Sequence, residues 1–194
     1  VLTSRVIDRP MRPLFPKDYR NDVTLNNLVT SVDPECRPEL VAMLGSAIAT
    51  AISDVPFCGP CAMTQVGMID GEFIINPSQK QWDVGDLKLT VASTSTKVIM
   101  IEAGANEIPE DKMIEAIYKA HDVNLSIIEF INKMVEEVGK TKHDYVSCAI
   151  PEELFAAMKE IVTPAEMEVA VFTDEKQVRE ENIRQITEKL EEAF

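Results

Sequence analysis

Residues 58–61 read Cys58-Gly59-Pro60-Cys61, the C-x-x-C spacing typical of dithiol redox enzymes. The first cysteine of such a pair becomes a reactive thiolate when it begins a helix that follows a strand. The flanking residues predict the opposite order here, because a helix and a proline turn precede Cys58 and an alternating strand pattern follows Cys61. We therefore expect two small, half-buried thiols in a tight connection. A thiol reductase is kept as an alternative.

Three arginines form the second chemical signal. Arg5, Arg9 and Arg12 are spaced by four and three residues, which places them on one side of any helical course. A guanidinium stays protonated and binds phosphate oxygens in pairs, so this face is a candidate site for RNA or another anion. The structural alternative is that some of these arginines bind a neighbouring aspartate or a helix C-terminus. Thr3 and Ser4 are placed to add hydroxyl contacts.

The distribution of charge supports this candidate more than the total does. A net charge of −14 disfavours a nucleic-acid partner, since phosphates are bound by Lys and Arg. Residues 1–20, however, hold more basic than acidic side chains: Arg5, Arg9, Arg12, Lys17 and Arg20 against Asp8 and Asp18. One basic segment is thus embedded in an acidic chain.

Other residue types that could do chemistry have plainer interpretations. His121 falls in a long helical pattern without a second histidine or paired carboxylate, so we expect a surface or capping histidine rather than a catalytic base. His143 lies in a polar linker and is expected to be solvated. Asp70 and Glu72 flank a hairpin turn that explains them without a metal. Trp82 is expected to pack on its own domain, the alternative being a base-stacking role.

Hydrophobic periodicity and Pro/Gly positions predict the elements that carry these residues. The N-terminal helix, capped by Thr3 or Ser4, is expected to end or kink at Pro10 and Pro13. The predicted strands are 23–32, 62–69, 72–77, 87–92 and 98–103, and the further helices are 38–52, 109–138, 151–162, 164–172 and 174–194. Strands covered by a long helix make an α+β layer, and residues after about 140 read as a separate all-helical unit.

Bulk properties narrow the class of protein. The chain has 194 residues, ample for a packed core, and four cysteines that fit neither a disulfide framework nor a two-pair zinc site, so we expect a cytoplasmic protein. No membrane-length apolar run or signal peptide is present. The missing initiator Met and a helical pattern that runs to the last residue predict that the chain is part of something longer.

One stretch carries a specific resemblance. Residues 5–16, R-V-I-D-R-P-M-R-P-L-F-P, resemble a segment of the bacterial polyribonucleotide nucleotidyltransferases, a family of phosphorolytic exoribonucleases. The similarity continues in order through Ser31-Val32-Asp33-Pro34, Ser53-Asp54-Val55-Pro56-Phe57, Val66-Gly67-Met68-Ile69-Asp70-Gly71-Glu72 and Val98-Ile99-Met100-Ile101-Glu102-Ala103. It covers roughly residues 1–140. Within residues 58–61, only Gly59 and Pro60 belong to the family's pattern.

The resemblance implies a fold and a domain division. Residues 1–57 would be the C-terminal part of a first RNase PH-like subdomain, 58–140 a second RNase PH-like subdomain, and 141–194 the start of an all-α domain. The whole is a partial RNase PH-like α+β core followed by a small helical domain.

The resemblance also implies a function. The parent protein would degrade RNA from the 3′ end with inorganic phosphate and a divalent metal (Mg or Mn), as a homotrimer that acts on RNA and joins a degradation complex. The family's RNA-facing segment maps onto Arg5, Arg9 and Arg12. No catalytic or metal-binding residue and no bound cofactor are expected in this fragment, which should be inactive alone. The alternative is a non-catalytic RNA-binding ring subunit of an exosome-like complex.

Overall fold

The computed structural model describes residues 2–33 and 35–194, which divide into two compact units, one ending at Ser147 and the other beginning at Cys148. In chain order the elements are α1 (Leu2–Met11), α2 (Pro38–Ile52), β1 (Ala62–Ile69), β2 (Glu72–Ile75), α3 (Gln79–Val84), β3 (Leu87–Ser93), β4 (Val98–Ala105), α4 (Glu110–Val138), α5 (Glu152–Ile161), α6 (Pro164–Val171) and α7 (Lys176–Glu191). A short 3₁₀ helix, Arg12–Leu14, follows α1. The predicted α+β class is confirmed.

A four-stranded antiparallel sheet organises the first unit, with strand order β2-β1-β3-β4. The predicted Asp-Gly hairpin joins β1 to β2: Ile69 pairs with Glu72, and both turn residues have positive φ, 52° at Asp70 and 81° at Gly71. Positive φ at both central positions is what a type I′ turn requires, and it explains why aspartate and glycine stand there.

The sheet is covered on both faces. One face packs against α1 and α2 through a core that includes Ile7, Met11, Met43, Met63 and Met100. The other face packs against α4 through alternating residues of β1 and β3 and the small side chains of the helix: Val66, Met68, Leu87, Leu89, Val91, Ala116 and Ala120. The period-two pattern of the strands and the helical period of α4 therefore meet in one layer, as predicted.

Helix α1 differs from the prediction at both ends. Thr3 and Ser4 lie inside the helix, which begins at Leu2, so neither is its cap. The helix also continues through Pro10 to Met11 before the 3₁₀ turn that contains Pro13. Pro10 removes one backbone hydrogen bond, but Pro10 and Met11 are among the most deeply buried side chains, and this burial compensates the loss.

The predicted strand at 23–32 is wrong. Residues 21–33 have no regular secondary structure and are all exposed, including Leu28 and Val29. β-propensity reflects how well a side chain fits a pleated, half-buried surface. In the described part of the chain this segment has no neighbouring strand to pair with, so its valines and leucines do not produce a strand.

Residues 139–147, which we call the strap, run without regular secondary structure along the first unit. The Lys140 amide donates to the Ile52 carbonyl at 2.9 Å, and the His143 amide donates to the Asp54 carbonyl at 2.7 Å. The strap therefore follows the C-terminus of α2. The division of the chain at residues 57 and 140 remains a prediction.

The second unit contains the three predicted helices. Helix α6 begins with a capping box in which Thr163 and Glu166 satisfy each other's backbone amides, and Lys189 of α7 forms an ion pair with Glu166 at 2.9 Å. Helix α7 is shorter than predicted at both ends. No helix in the described ranges is long and apolar enough to cross a membrane.

Candidate nucleic-acid interface

The three sequence-predicted arginines lie at the N-terminal helix and the turn after it. Arg5 and Arg9 are exposed on α1, and no ion pair to either is found in residues 2–33 and 35–194. Arg12 is also exposed but is held by Asp8, through Nε to Oδ2 at 3.1 Å and Nη2 to Oδ1 at 2.6 Å. We call these three residues the arginine face. The guanidinium groups of Arg5 and Arg9 are available to bind a ligand, whereas that of Arg12 already binds the Asp8 carboxylate.

The opposite face of α1 explains why the arginines point outward. Ile7 and Met11, four residues apart, are buried against the sheet and α2. Arg5 and Arg9 are also four residues apart but lie on the side away from this core. The periodicity that buries the apolar residues thus fixes the direction of the basic ones. Arg5 and Arg9 therefore lie on one side of α1, as their spacing predicts, although the helix contains Pro10.

A groove of about 1050 Å³ runs beside α1. Its lining comes from three sources: Thr3, Ser4, Ile7, Asp8 and Met11 of α1; Arg12, Pro13, Phe15, Pro16, Lys17, Tyr19, Arg20, Asn21, Asp22, Val23, Leu25, Asn27 and Val29 of the segment that follows; and Pro38, Glu39 and Ala42 of α2. Arg12 lines this groove, whereas Arg5 and Arg9 do not. Thr3 and Ser4 are exposed and line the groove together with Arg12.

An aromatic and acidic cluster fixes the segment after the 3₁₀ helix. The Tyr145 hydroxyl donates to Asp18 Oδ1 at 3.0 Å, and the Ser147 hydroxyl donates to Asp18 Oδ2. Tyr19 meets Tyr145 edge to face with centroids 5.1 Å apart, and its hydroxyl lies 3.2 Å from His143 Nε2. The bonds from Ser147 and then Tyr145 lower the pKa of the Asp18 carboxyl. This cluster ties residues 18–19 to the strap.

The expectation that His143 is solvated is wrong. Its ring is partly buried against Tyr19, and its amide bonds to Asp54. The partners are far away in the chain, with 124 residues separating His143 from Tyr19. No local pattern in a polar linker could have signalled this contact.

His121 belongs to a buried polar network rather than to a catalytic pair. Its Nδ1 is hydrogen-bonded to Ser93 Oγ at 2.9 Å, and Ser93 also accepts from Asn124 Nδ2 at 3.0 Å. Asn124 further donates to the Val91 carbonyl and accepts from the Thr64 hydroxyl at 2.8 Å. These bonds satisfy Asn124 on the core face of α4. The network joins α4 to the sheet.

The cysteines of the C-x-x-C pair have different surroundings. Cys58 is exposed, whereas Cys61 is fully buried in the core, where burial raises the pKa of its thiol to about 12. Cys58 lies after α2 and its connection, and Cys61 is followed by β1. Gly59 is required because a Cβ there would lie 2.2 Å from the Phe57 ring. This setting lacks the helix N-terminus that lowers the pKa of a redox thiol.

Trp82 packs on its own unit, as predicted, although it lies on the short helix α3 rather than in a loop. The Arg37 guanidinium stands 4.4 Å from its ring centroid, and Arg37 also binds Glu39 at 2.6 Å. The ring is therefore engaged by a cation. A structural role accounts for it.

The acidic, histidine and cysteine side chains of this chain are dispersed. Within the described ranges, no grouping of three or more His, Cys, Asp and Glu side chains is placed to hold a metal ion. The residues present do not fit a divalent-metal site, so no step proposed below runs through a metal bound to this chain.

Part of the chain matches a known protein family. Residues 59–123 match the family described as "3′ exoribonuclease family, domain 2" (RNase_PH_C). They span the sheet and the first half of α4. Among solved structures, rice Rrp46 superposes with a TM-score of 0.47 at 13% identity, over 54% of this chain and 49% of that one.

Curated relatives are much closer in sequence. A polyribonucleotide nucleotidyltransferase of Lachnoclostridium phytofermentans is 73% identical over all 194 residues, and that of Ruminiclostridium cellulolyticum is 47% identical over the same length. The Clostridioides difficile enzyme is 45% identical over 97% of this chain. The chain belongs to the polyribonucleotide nucleotidyltransferase family. It spans 28% of the length of the first two relatives.

Proposed function

We propose that this chain is part of a phosphorolytic 3′-to-5′ exoribonuclease and that the arginine face contacts its RNA. The parent would release nucleoside diphosphates and run the reverse polymerisation. Arg5 and Arg9 carry the proposal: they lie exposed on one face of α1 with no ion-pair partner in the described residues, at the positions that the family resemblance maps to RNA. The relatives' printed name, polyribonucleotide nucleotidyltransferase, supports the same substrate class.

The chemistry of phosphorolysis indicates how the arginine face would assist the reaction. An oxygen of inorganic phosphate attacks the phosphorus of the 3′-terminal nucleotide, and the bond from that phosphorus to the preceding 3′ oxygen breaks. That oxygen takes a proton, and a nucleoside diphosphate leaves. Catalysis of phosphoryl transfer depends on positioning and charge neutralisation. Arginines that hold phosphates upstream of the cleaved bond keep the strand in register without touching the reacting atoms.

The remaining parts of the proposal concern the whole protein. We place the residues that bind phosphate and the divalent metal (Mg or Mn) outside residues 1–194, so that this chain alone has no phosphorolytic activity. The parent is proposed to act in the cytoplasm as a homotrimer around an RNA channel and to join an RNA-degradation complex. These statements rest on the family to which the chain belongs.

The arginine face is tested by replacing Arg5, Arg9 and Arg12 with alanine in the complete protein. Binding of a fluorescently labelled single-stranded oligo(A) is measured by anisotropy over a series of NaCl concentrations. We expect affinity to fall at least about tenfold and the salt dependence to weaken, because each lost phosphate contact removes about 0.7 from the log–log slope. The trimer should persist in size-exclusion chromatography, since all three side chains are exposed.

The matched control removes the same charge elsewhere. Lys133, Lys176 and Arg184 are exposed and ion-paired on α4 and α7, and replacing them with alanine also removes three positive charges. This control is expected to bind oligo(A) like the wild type. If the arginine-face variant binds RNA with unchanged affinity and slope, the assignment is wrong.

A further inference from the structure

The strap, residues 139–147, contacts two different parts of the first unit. Near its start, backbone amides of the strap donate to carbonyls at and just after the C-terminus of α2, at 2.9 and 2.7 Å. Near its end, the side chains of His143, Tyr145 and Ser147 contact the segment that follows α1. His143 and Tyr145 are half-buried. The strap thus bridges the end of α2 and the basic segment of the chain.

The contact with the basic segment is centred on Asp18. One oxygen of its carboxylate accepts a hydrogen bond from the Tyr145 hydroxyl at 3.0 Å, and the other accepts one from the Ser147 hydroxyl. Hydrogen bonds to an ionised acceptor are about twice as strong as bonds between neutral groups. Two such bonds therefore fix the Asp18 carboxylate against the strap.

Aromatic rings extend this contact along the basic segment. Tyr19 meets Tyr145 edge to face with ring centroids 5.1 Å apart, and its hydroxyl lies 3.2 Å from Nε2 of His143. The Phe15 ring contacts those of Tyr19 and Phe57, with centroids 6.4 and 5.2 Å away. Aromatic pairs at these distances attract each other beyond the effect of burial. The segment is therefore packed against both the strap and the connection that precedes β1.

Two hydrogen-bonded turns join this contact to the arginine face. The Phe15 amide donates to the Arg12 carbonyl at 3.3 Å, and the Tyr19 amide donates to the Pro16 carbonyl at 3.1 Å. Each bond closes a tight turn, so the backbone between residues 12 and 19 has little slack. The Arg12 side chain is also bound by Asp8 of α1. The position of Arg12 is therefore set from α1 on one side and from the strap on the other.

We infer that the strap is a positioning element for the arginine face and that Tyr145 is a positioning residue that acts through Asp18. The Tyr145 hydroxyl is engaged by that carboxylate and does not itself bind the ligand of the face. It keeps the chain after Arg12 in one conformation, which reduces the conformational entropy that is lost when the arginine face binds an anionic strand. This inference rests on the proposed function, which supplies the ligand.

Hydrogen–deuterium exchange of the complete protein, read by mass spectrometry, measures the positioning directly. Tyr145→Phe keeps the ring against Tyr19 and removes the hydrogen bond to Asp18. We expect peptides covering residues 12–20 to exchange roughly threefold faster, a factor that one net hydrogen bond contributes. Peptides of α4 and the sheet should keep their wild-type rates. Tyr118→Phe removes a hydroxyl from the exposed side of α4 and is the matched control, expected to exchange like the wild type.

The link to RNA binding is tested by a double-mutant cycle, with single-stranded oligo(A) as the probe and anisotropy as the readout. Tyr145→Phe is measured in the wild type and in an Asp18→Ala background, so the lost charge of Asp18 is common to the second pair. We expect roughly threefold weaker binding in the wild type and no measurable effect in the Asp18→Ala background, because the tyrosine acts through that carboxylate. The salt dependence should not change, since no phosphate contact is removed.

The outcomes separate this inference from the proposed function. Wild-type exchange in Tyr145→Phe, or faster exchange throughout the first unit, would refute the positioning role. An equal loss of RNA affinity in both backgrounds would show that Tyr145 contacts RNA itself. Normal RNA binding by Tyr145→Phe beside a weakened arginine-face variant would show that the face does not depend on the strap. Each of these results overturns the inference and leaves the proposed function standing. If neither variant loses affinity, both are wrong.

Discussion

Two cysteines that look equivalent in the sequence differ completely in the structure. Cys58 is exposed at the end of the connection from α2, and Cys61, three residues later, is fully buried among Met43, Met63 and other core residues. The thiol at 61 acts as a small apolar side chain. The C-x-x-C spacing therefore reflects a tight turn, and the two thiols do not form a dithiol redox site.

This difference predicts how the thiols react. In the native protein a thiol reagent such as DTNB should modify Cys58 at neutral pH, and Cys61 only after unfolding. Site-specific labelling read by mass spectrometry distinguishes the two residues. The Cys58→Ser variant is the control that identifies the fast site. Rapid native modification of Cys61, or insulin reduction that is lost in Cys58→Ser, would contradict this account.

Burial of Cys61 also predicts a pH dependence of stability. Its folded pKa of about 12 lies above the ordinary thiol value of 9.0, so the thiol stays neutral in the folded state while the unfolded chain ionises. The stabilising contribution is complete below pH 9 and is lost as the pH rises towards 12. Urea unfolding from pH 8 to 10.5 should show a decline in the free energy of unfolding that is smaller in Cys61→Ala. An identical decline in both proteins would refute this cause.

The buried polar residues show what sequence reasoning could and could not reach. Asn124 lies on the core face of α4, and its position on the helix is a local property that follows from the helical period. Its partners Thr64 and Val91 lie 60 and 33 residues away, and their identity depends on which strands α4 covers. The contact of His143 with Tyr19 could not be predicted for the same reason, because these two residues are also far apart in the chain.

Helices and turns were predicted correctly from the sequence where the residues that specify them lie close together in the chain. The Asp70-Gly71 turn, the proline at the start of α2 and the period of α4 each specify an element within a few residues. The segment 21–33 failed because a strand needs a neighbour, which sequence periodicity does not supply. Helix α1 passed through Pro10 because core burial outweighed a local preference.

The strap supplies a cap for the C-terminus of α2. Helix α2 has no basic residue in its last turn, and Lys142 supplies one from a distance: its Nζ donates to the carbonyls of Thr50, Ala51 and Ser53 at 3.2, 2.8 and 2.6 Å. Burial lowers the pKa of Lys142, yet three carbonyl acceptors require the three protons of an ammonium group. Lys142→Met keeps the aliphatic stem and removes these bonds to the helix C-terminus.

We expect Lys142→Met to lower the free energy of unfolding by about 1.5–3 kcal/mol, the range for hydrogen bonds to a charged group. The matched control is Lys133→Met on the exposed face of α4, where the lysine forms only a surface ion pair worth under about 1 kcal/mol. Chemical denaturation followed by circular dichroism measures both. Equal, small losses in the two variants would show that Lys142 does not cap α2.

At the scale of the whole molecule, the distribution of charge is the main functional clue. A chain with a net charge of −14 concentrates basic residues in its first 20 positions, and the structure displays them on α1 and the adjoining groove. The sequence predicted the arginine face because spacing and helical geometry suffice for it. The groove could not be predicted, since its far wall is formed by irregular residues that only the fold brings beside α1.

Phosphorolysis by the parent protein is measured by incubating the complete protein with poly(A), Mg²⁺ and inorganic phosphate and quantifying ADP by chromatography. We expect ADP release that requires phosphate, and none from residues 1–194 alone. A complete protein that binds RNA but yields no phosphate-dependent ADP would contradict the claim and favour the non-catalytic ring subunit. ADP release by residues 1–194 alone would refute the placement of the active site outside this chain.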